Sequence, residues 1–379
     1  MMSKTVLLIL LLSLLLLDVS LQDNGNKSHK ENRNITAISP RSFRGGLKGK
    51  IVHPQNTMRT VPSSPSPTLF LKLGLQANGT ASYFTSVLST QIIPAAYVVA
   101  IIIGIPSNAI VLVALTAKTK TFSTAILYFS LALSDLLFLI TLTLKAFYHF
   151  NGNHWVFGEA ACKVVTACFY GNVYCSIQTL MCISINRYLA IVHPFTYKSL
   201  PKHSCTMCCS LMVWVLFFTA MVPEFLIRQS YHLPDLGITT CHDVLPLNDE
   251  SYSFLPYYKL TLICLGFFVP FMVTVVSHVF IIFQLNKAHD DCMHYIKMST
   301  LVFIIFTVCF TPSNVIHFIH YVKLYTSKEE HFYVYYSVAM CLCGIHSCLD
   351  PFLFSLMSRS TGSKQYFITF KGKTLSTST

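Results

Sequence analysis

Seven long apolar stretches dominate the chain from Gln91 onward, at about 91–117, 124–149, 159–192, 205–227, 254–285, 295–322 and 331–357. At a helical rise of about 1.5 Å per residue, each can cross a hydrocarbon core roughly 30 Å thick. In lipid the backbone satisfies its own polar groups only as a helix or a closed barrel, and these runs are too long for barrel strands. The pattern predicts an all-α membrane protein, a seven-transmembrane helix bundle. Composition agrees, because hydrophobic residues make up 53% and charged residues 11%. Soluble domains carry about a quarter charged residues. An ordinary soluble enzyme and a largely disordered chain are both excluded. A small disulfide scaffold is excluded too, since the 14 cysteines are spread over 379 residues.

Residues 1–20 read as a secretory signal peptide, with Lys4 before an apolar run over 6–17 that is short for a span. Residues 21–90 are polar, with prolines at Pro62, Pro65 and Pro67, and read as a flexible extracellular segment. Glycosylation sequons begin at Asn26, Asn34 and Asn78. Seven spans from an outside N-terminus leave residues 358–379 as a short cytoplasmic tail. The charge pattern gives the same orientation. Lys118, Lys120, Lys198, Lys202, Lys287, Lys297, Arg359, Lys364, Lys371 and Lys373 fall inside, against Arg228, Lys259, Lys323 and Lys328 outside. The net charge of +12 therefore suits an anionic lipid leaflet and needs no nucleic acid partner. A multi-pass plasma-membrane location follows.

Asp135 lies within an apolar span, where a carboxylate costs several kcal/mol unless it faces the bundle interior and finds partners. Asn108 and Asp350 are its expected partners. It reads as an ion or proton site, the alternative being a purely structural hydrogen bond. No cofactor is expected, with a sodium ion near Asp135 as the one candidate. Cys162 opens the third span and Cys241 lies in the long outer loop, so both face the oxidising side and are expected to be bridged. Cys205-x-x-Cys208 lacks a second pair and starts an apolar run, so no metal site is read there.

Four motifs together resemble the rhodopsin-class G-protein-coupled receptors. They are Leu131-Ala132-Leu133-Ser134-Asp135, Asn186-Arg187-Tyr188, Cys309-Phe310-Thr311-Pro312 and Asp350-Pro351-Phe352-Leu353-Phe354. More narrowly the chain resembles the protease-activated, thrombin-type receptors. That likeness is carried by Asn151 through Glu159, by Phe169-Tyr170-Gly171-Asn172-Val173-Tyr174, and by Ile238-Thr239-Thr240-Cys241-His242-Asp243-Val244. It covers about residues 83–357, plus the short cleavage region. Asn186, His346 and Phe354 depart from the class, which has Asp, Asn and Tyr at those places. All three, with Asp135, Arg187 and Asp350, belong to what the resemblance implies is the switching network.

The resemblance also implies a protease site in the N-terminal segment, and Pro40-Arg41-Ser42 supplies one. Arg41 would fill the acidic primary pocket of a trypsin-like enzyme. Cleavage would release residues 21–41 and expose Ser42, Phe43, Arg44, Gly45, Gly46 and Leu47 as a tethered ligand on a stalk ending near 90. Asp243, beside His242, is expected to meet the new ammonium or Arg44. Tyr170, Tyr174, His320, Tyr321, Tyr333 and Tyr336 would form the aromatic floor under Phe43. The pairs Tyr170/Tyr174 and Tyr333/Tyr336 each share a helix face.

The expected partners are thrombin or another trypsin-like serine protease, a heterotrimeric G protein, membrane lipid and a receptor hetero-oligomer. Residues 41–90 contain no Asp or Glu, so nothing steers this stretch to a basic exosite. Two alternatives stand beside the receptor reading. One is a non-signalling cofactor that presents the protease to a neighbouring receptor, suggested by His346, Phe354 and a tail without cysteine. The other is a receptor for a diffusible peptide or nucleotide. No enzyme motif or inverted repeat points to catalysis or transport.

Overall fold

The computed structural model describes residues 43–45, 78–116, 124–234, 236–246, 254–286, 293–326 and 332–371. The signal peptide, Asn26, Asn34, Arg41, Ser42, Gly46 and Leu47 lie outside the described residues.

In chain order the elements are β1 (Phe43–Gly45), α1 (Asn78–Thr85), α2 (Ile93–Thr116), α3 (Thr124–Phe150), α4 (Gly158–Val192), α5 (Pro194–Ser199) and α6 (Lys202–Leu226). They continue with β2 (Ser230–Leu233), β3 (Ile238–Cys241), β4 (Val244–Pro246), α7 (Leu255–Ile263), α8 (Val269–Asn286), α9 (Met293–Thr326) and α10 (Phe332–Lys371). A wider π-turn, Leu88–Ile92, leads into α2, and a second one, Cys264–Phe268, joins α7 to α8. Six helical segments among the described residues are long and apolar enough to cross a membrane. The seventh expected span is the leading part of α10. Outward-turned Val99, Ile110, Val113, Leu211, Phe218 and Phe283 form an apolar exterior suited to lipid.

The helices follow the expected spans to within a few residues, with one extension. α10 runs on to Lys371, past the expected start of the tail. The end of the supposed flexible stalk is also built in. Phe84 is buried, its carbonyl accepts from Asn153 Nδ2 at 2.7 Å, and the Ser89 hydroxyl donates to Asn153 Oδ1 at 3.1 Å. Asn153 can reach both because it sits in a tight turn after α3 with a left-handed backbone, φ 62°. Burial also holds the Tyr83 phenol well above its ordinary range.

The second π-turn precedes Pro270, which has no N–H to give to the helix. It presents Gly266 to α4 at close range. A Cβ there would lie 2.6 Å from the Tyr174 ring, so only glycine lets these two helices approach at this level.

Candidate functional site

At one end of the bundle a lid of short strands lies across the helices. β2 and β3 pair antiparallel, from Ser230 opposite Cys241 to Leu233 opposite Ile238. Three anchors hold them down. The Glu159 carboxylate accepts the Gln229 and Ser230 backbone N–H groups, both at 2.8 Å. The Trp155 N–H donates to the Thr239 carbonyl at 2.7 Å. Cys241 is disulfide-bonded to Cys162, as the sequence led us to expect. Such a bridge restrains the loop relative to α4 even when its other contacts open.

The chain then turns sharply at His242, whose backbone is left-handed with φ 72°. The strain is countered by two bonds to one residue: His242 N–H to the Gln229 carbonyl, and His242 Nδ1 to Gln229 Oε1, both at 2.8 Å. The turn aims Asp243 into the bundle, where it is 4% exposed. Tyr148 from α3 and Tyr333 from α10 each donate a hydroxyl to one of its two oxygens. Thus Asp243, chosen from the sequence, and Tyr333, from the aromatic set, do meet. Tyr148 was missed, although Lys145, Tyr148 and His149 at the end of one apolar span already marked a polar helix face there.

The aromatic floor is continuous. Tyr170 stacks on Tyr336 with centroids 6.4 Å apart and planes 6° apart, and its ring lies 4.6 Å from His242. His317, also missed, stacks on Tyr336 at 4.3 Å and contacts Tyr321 at 5.0 Å. His320 bridges Tyr321 at 5.3 Å and Tyr333 at 6.5 Å. Tyr174 lies one turn deeper than Tyr170 and lines a narrow cavity with Tyr170, His317, Tyr336, Ser313 and Asn314. Tyr321 faces away from that cavity, against Ile263 and Phe318.

Two cations sit among these rings. The Lys145 ammonium is 5.7 Å from the Tyr148 centroid and 5.5 Å from that of Phe169. Lys259, expected in an outer loop, is instead buried in α7, ion-paired to Glu224 and 5.2 Å from the Tyr170 centroid. The misplacement is instructive. A lysine near the end of an apolar run looks like a loop residue until its buried carboxylate, on another helix, is known.

Deeper in the bundle, Asp135 Oδ1 accepts from the Ser347 hydroxyl at 2.9 Å and from Asn172 Nδ2 at 3.2 Å. Of the partners expected from sequence, Asp350 lies against Asp135, carboxyl to carboxyl within hydrogen-bonding reach, while Asn108 is one step removed. Asn108 Nδ2 donates to the Ser347 and Gly104 carbonyls, at 2.8 and 3.0 Å, and Asp350 faces His346 Nδ1 at 3.2 Å. Asp135 Oδ2 and Asn108 Oδ1 are buried oxygens that take no hydrogen bond. Hard oxygen acceptors of this kind fit a sodium ion.

At the opposite end of the bundle, Arg187 donates through Nη2 to the Tyr128 hydroxyl at 2.7 Å, and the Tyr128 ring meets Phe354 at 5.4 Å. Arg187 also lines a narrow cavity with Ser184, Thr274, His278, Phe303 and Phe306. Asn186 lies in the same turn of α4. Cys205 and Cys208 are exposed and unbridged at the start of α6.

On the lid, β1 pairs parallel with β4. Phe43 lies opposite Val244, Arg44 opposite Leu245 and Gly45 opposite Pro246. Phe43, Arg44 and Gly45, three residues of the segment named from sequence, are thus laid by their backbone along the strand that follows Asp243.

The family described as "7 transmembrane receptor (rhodopsin family)" matches residues 107–354. Human (Homo sapiens) proteinase-activated receptor 3 is 45% identical over 77% of this chain and 78% of its own length. The Bos taurus proteinase-activated receptor 3 is 41% identical over 94% of this chain and 96% of its own. Proteinase-activated receptor 2 of Mus musculus is 37% identical over 74% and 71%. With its disulfide-pinned lid, its buried Asp135 and its Asn186-Arg187-Tyr188 turn, this multi-pass membrane protein belongs to the rhodopsin family of seven-transmembrane receptors and, within it, to the proteinase-activated receptors.

Proposed function

We propose that this chain is a plasma-membrane receptor, N-terminus outside, switched on when a trypsin-like serine protease cuts after Arg41. The peptide beginning Ser42-Phe43-Arg44-Gly45-Gly46-Leu47 then acts as an agonist on its own bundle. The observation that carries this reading is the parallel register of β1 on β4. Val244, the partner of Phe43, directly follows Asp243 in the chain.

The chemistry follows from that register. In the uncut chain residue 42 carries an uncharged amide. After cleavage it carries an ammonium with a pKa of about 7.7–8.0. A positive charge is therefore created beside a buried carboxylate whose two donors are neutral phenols. Hydrogen bonds to charged groups contribute about 1.5–3 kcal/mol, against about 0.5–1.5 for neutral pairs. The ammonium displaces a tyrosine donor from Asp243, and α3 or α10 loses its tie to the lid. Phe43 packs toward the floor of Tyr170, Tyr174 and Tyr336. The bundle relaxes by moving α9, and a heterotrimeric G protein engages around Arg187.

Thrombin is the first protease to test, because proline precedes the scissile Arg41. The absence of acidic residues over 41–90 keeps other trypsin-like enzymes in contention. A sodium ion held by Asp135 and Asn108 would supply a fixed positive charge that offsets the buried carboxylate.

A second reading has its own observation. Phe354 has no hydroxyl to offer Arg187, and Tyr128 already holds that guanidinium. A chain latched in this way would serve as a cofactor, presenting the protease to a neighbouring receptor in a hetero-oligomer. One experiment separates the readings. Cells expressing wild type or Arg41→Gln are exposed to thrombin, then to trypsin, and followed for loss of an N-terminal epitope and for calcium release. Both responses from wild type alone support the receptor. Epitope loss without calcium supports the cofactor. No cut at Arg41 by any such protease overturns both.

A further inference from the structure

β1 is paired with β4 in a chain whose sequence runs unbroken through Arg41 and Ser42. Residues 43–45 of the ligand segment are therefore docked before any protease acts. The dock is short and bounded at both ends. The left-handed turn at His242 starts it, and Pro246, which has no N–H, ends it. Val244 is buried, so its side chain is committed to the bundle while its backbone edge receives β1.

We infer that this docking shields the scissile bond: the Phe43–Gly45 strand sits on β4 in the uncut receptor and must detach before a protease can cut after Arg41. The inference rests on the cleavage reading above. A serine protease takes several residues on both sides of the bond into its cleft as an extended strand. Phe43, Arg44 and Gly45 are the second, third and fourth residues past that bond. Main-chain pairing to β4 and insertion into a protease cleft compete for this one stretch of backbone. Cleavage then proceeds at a rate set by the detached fraction. Once cut, the segment returns to the same register, now with an ammonium at its head. The same pairing thus delays cutting and places the product.

The test uses the full-length receptor in lipid nanodiscs, with trypsin as the probe. Cleavage rates are compared for wild type, Leu245→Pro and a free peptide of residues 35–50. The membrane-bound fragment of each receptor, and the C-terminal product of the peptide, are sequenced from their N-termini. Leu245→Pro removes a backbone N–H from β4 without touching the ligand or the cleavage site. The expected result is a fragment starting at Ser42 throughout, cut about three- to tenfold faster in Leu245→Pro, toward the peptide rate. Backbone amides of residues 43–45 should also exchange hydrogen more slowly in the uncut wild-type receptor than in the free peptide, a comparison that needs no variant. Equal cleavage rates with fragments that do start at Ser42, or equal exchange, overturn the docking inference and leave the cleavage reading standing. Fragments that never start at Ser42 overturn the cleavage reading itself.

Discussion

Glu224 and Lys259 form an ion pair with no access to water, their side chains 0% and 3% exposed. The pair joins α6 to α7 beneath the lid, and Gln229 Nε2 adds a bond to Glu224 Oε2 at 2.9 Å. Breaking such a pair from one side leaves a buried charge and costs about 3–5 kcal/mol. Lys259→Met should therefore lower the thermal midpoint of the detergent-solubilised receptor by several degrees. Adding Glu224→Gln to it should restore a large part of that loss. A single variant as stable as wild type would mean that water reaches the pair.

Asp243→Asn keeps the shape of the side chain and removes its charge. Cutting after Arg41 should continue, while the calcium response should need at least tenfold more of the free Ser42–Leu47 peptide, consistent with loss of a charged hydrogen bond. An unchanged dose response would place the ammonium elsewhere.

The agonist's charge also fixes a pH dependence. The ammonium binds and the free amine does not. Pairing with a carboxylate raises the bound pKa above its free value of about 7.7–8.0. Activity of the cut receptor should therefore be full below about pH 7.5 and fall as pH rises through the bound pKa. An N-acetylated peptide should be inactive throughout. A response that rises with pH would contradict the assignment.

Tyr128→Phe deletes the hydroxyl that accepts from Arg187. One hydrogen bond is worth about 1 kcal/mol, so basal G-protein turnover should rise about fivefold. A receptor that stays silent in this variant would show that the Tyr128 latch is not what limits signalling, and would remove the observation behind the cofactor reading.

Local pattern was enough to find the spans, the bridged cysteines and the carboxylate of the lid. Long apolar runs, positive charge bias and the Cys241-His242-Asp243 sequence are features a reader can see without folding the chain. What escaped was contact between distant residues. Tyr148 and Asp243 are 95 positions apart, and nothing beside either one announces the other. Lys259 was placed outside because its partner Glu224 belongs to a different helix. The anchoring of Phe84 depends on Asn153, whose turn geometry the sequence hints at but whose target it does not. Asp135 was matched to Asp350, which does lie against it, but Ser347 and Asn172 also touch it and were missed, because small polar side chains carry little signal in an apolar run.

The π-turn at Cys264–Phe268 has a further effect on the far half of its helix. One surplus residue in a single turn shifts the angular phase of everything after it by about 100°. Thr274 and His278, which line the cavity beside Arg187, lie after that slip and take their facing from it. Deleting Leu265 would wind the helix back, swing both polar side chains out into the acyl chains, and uncouple the two ends of the molecule without altering a single residue at either.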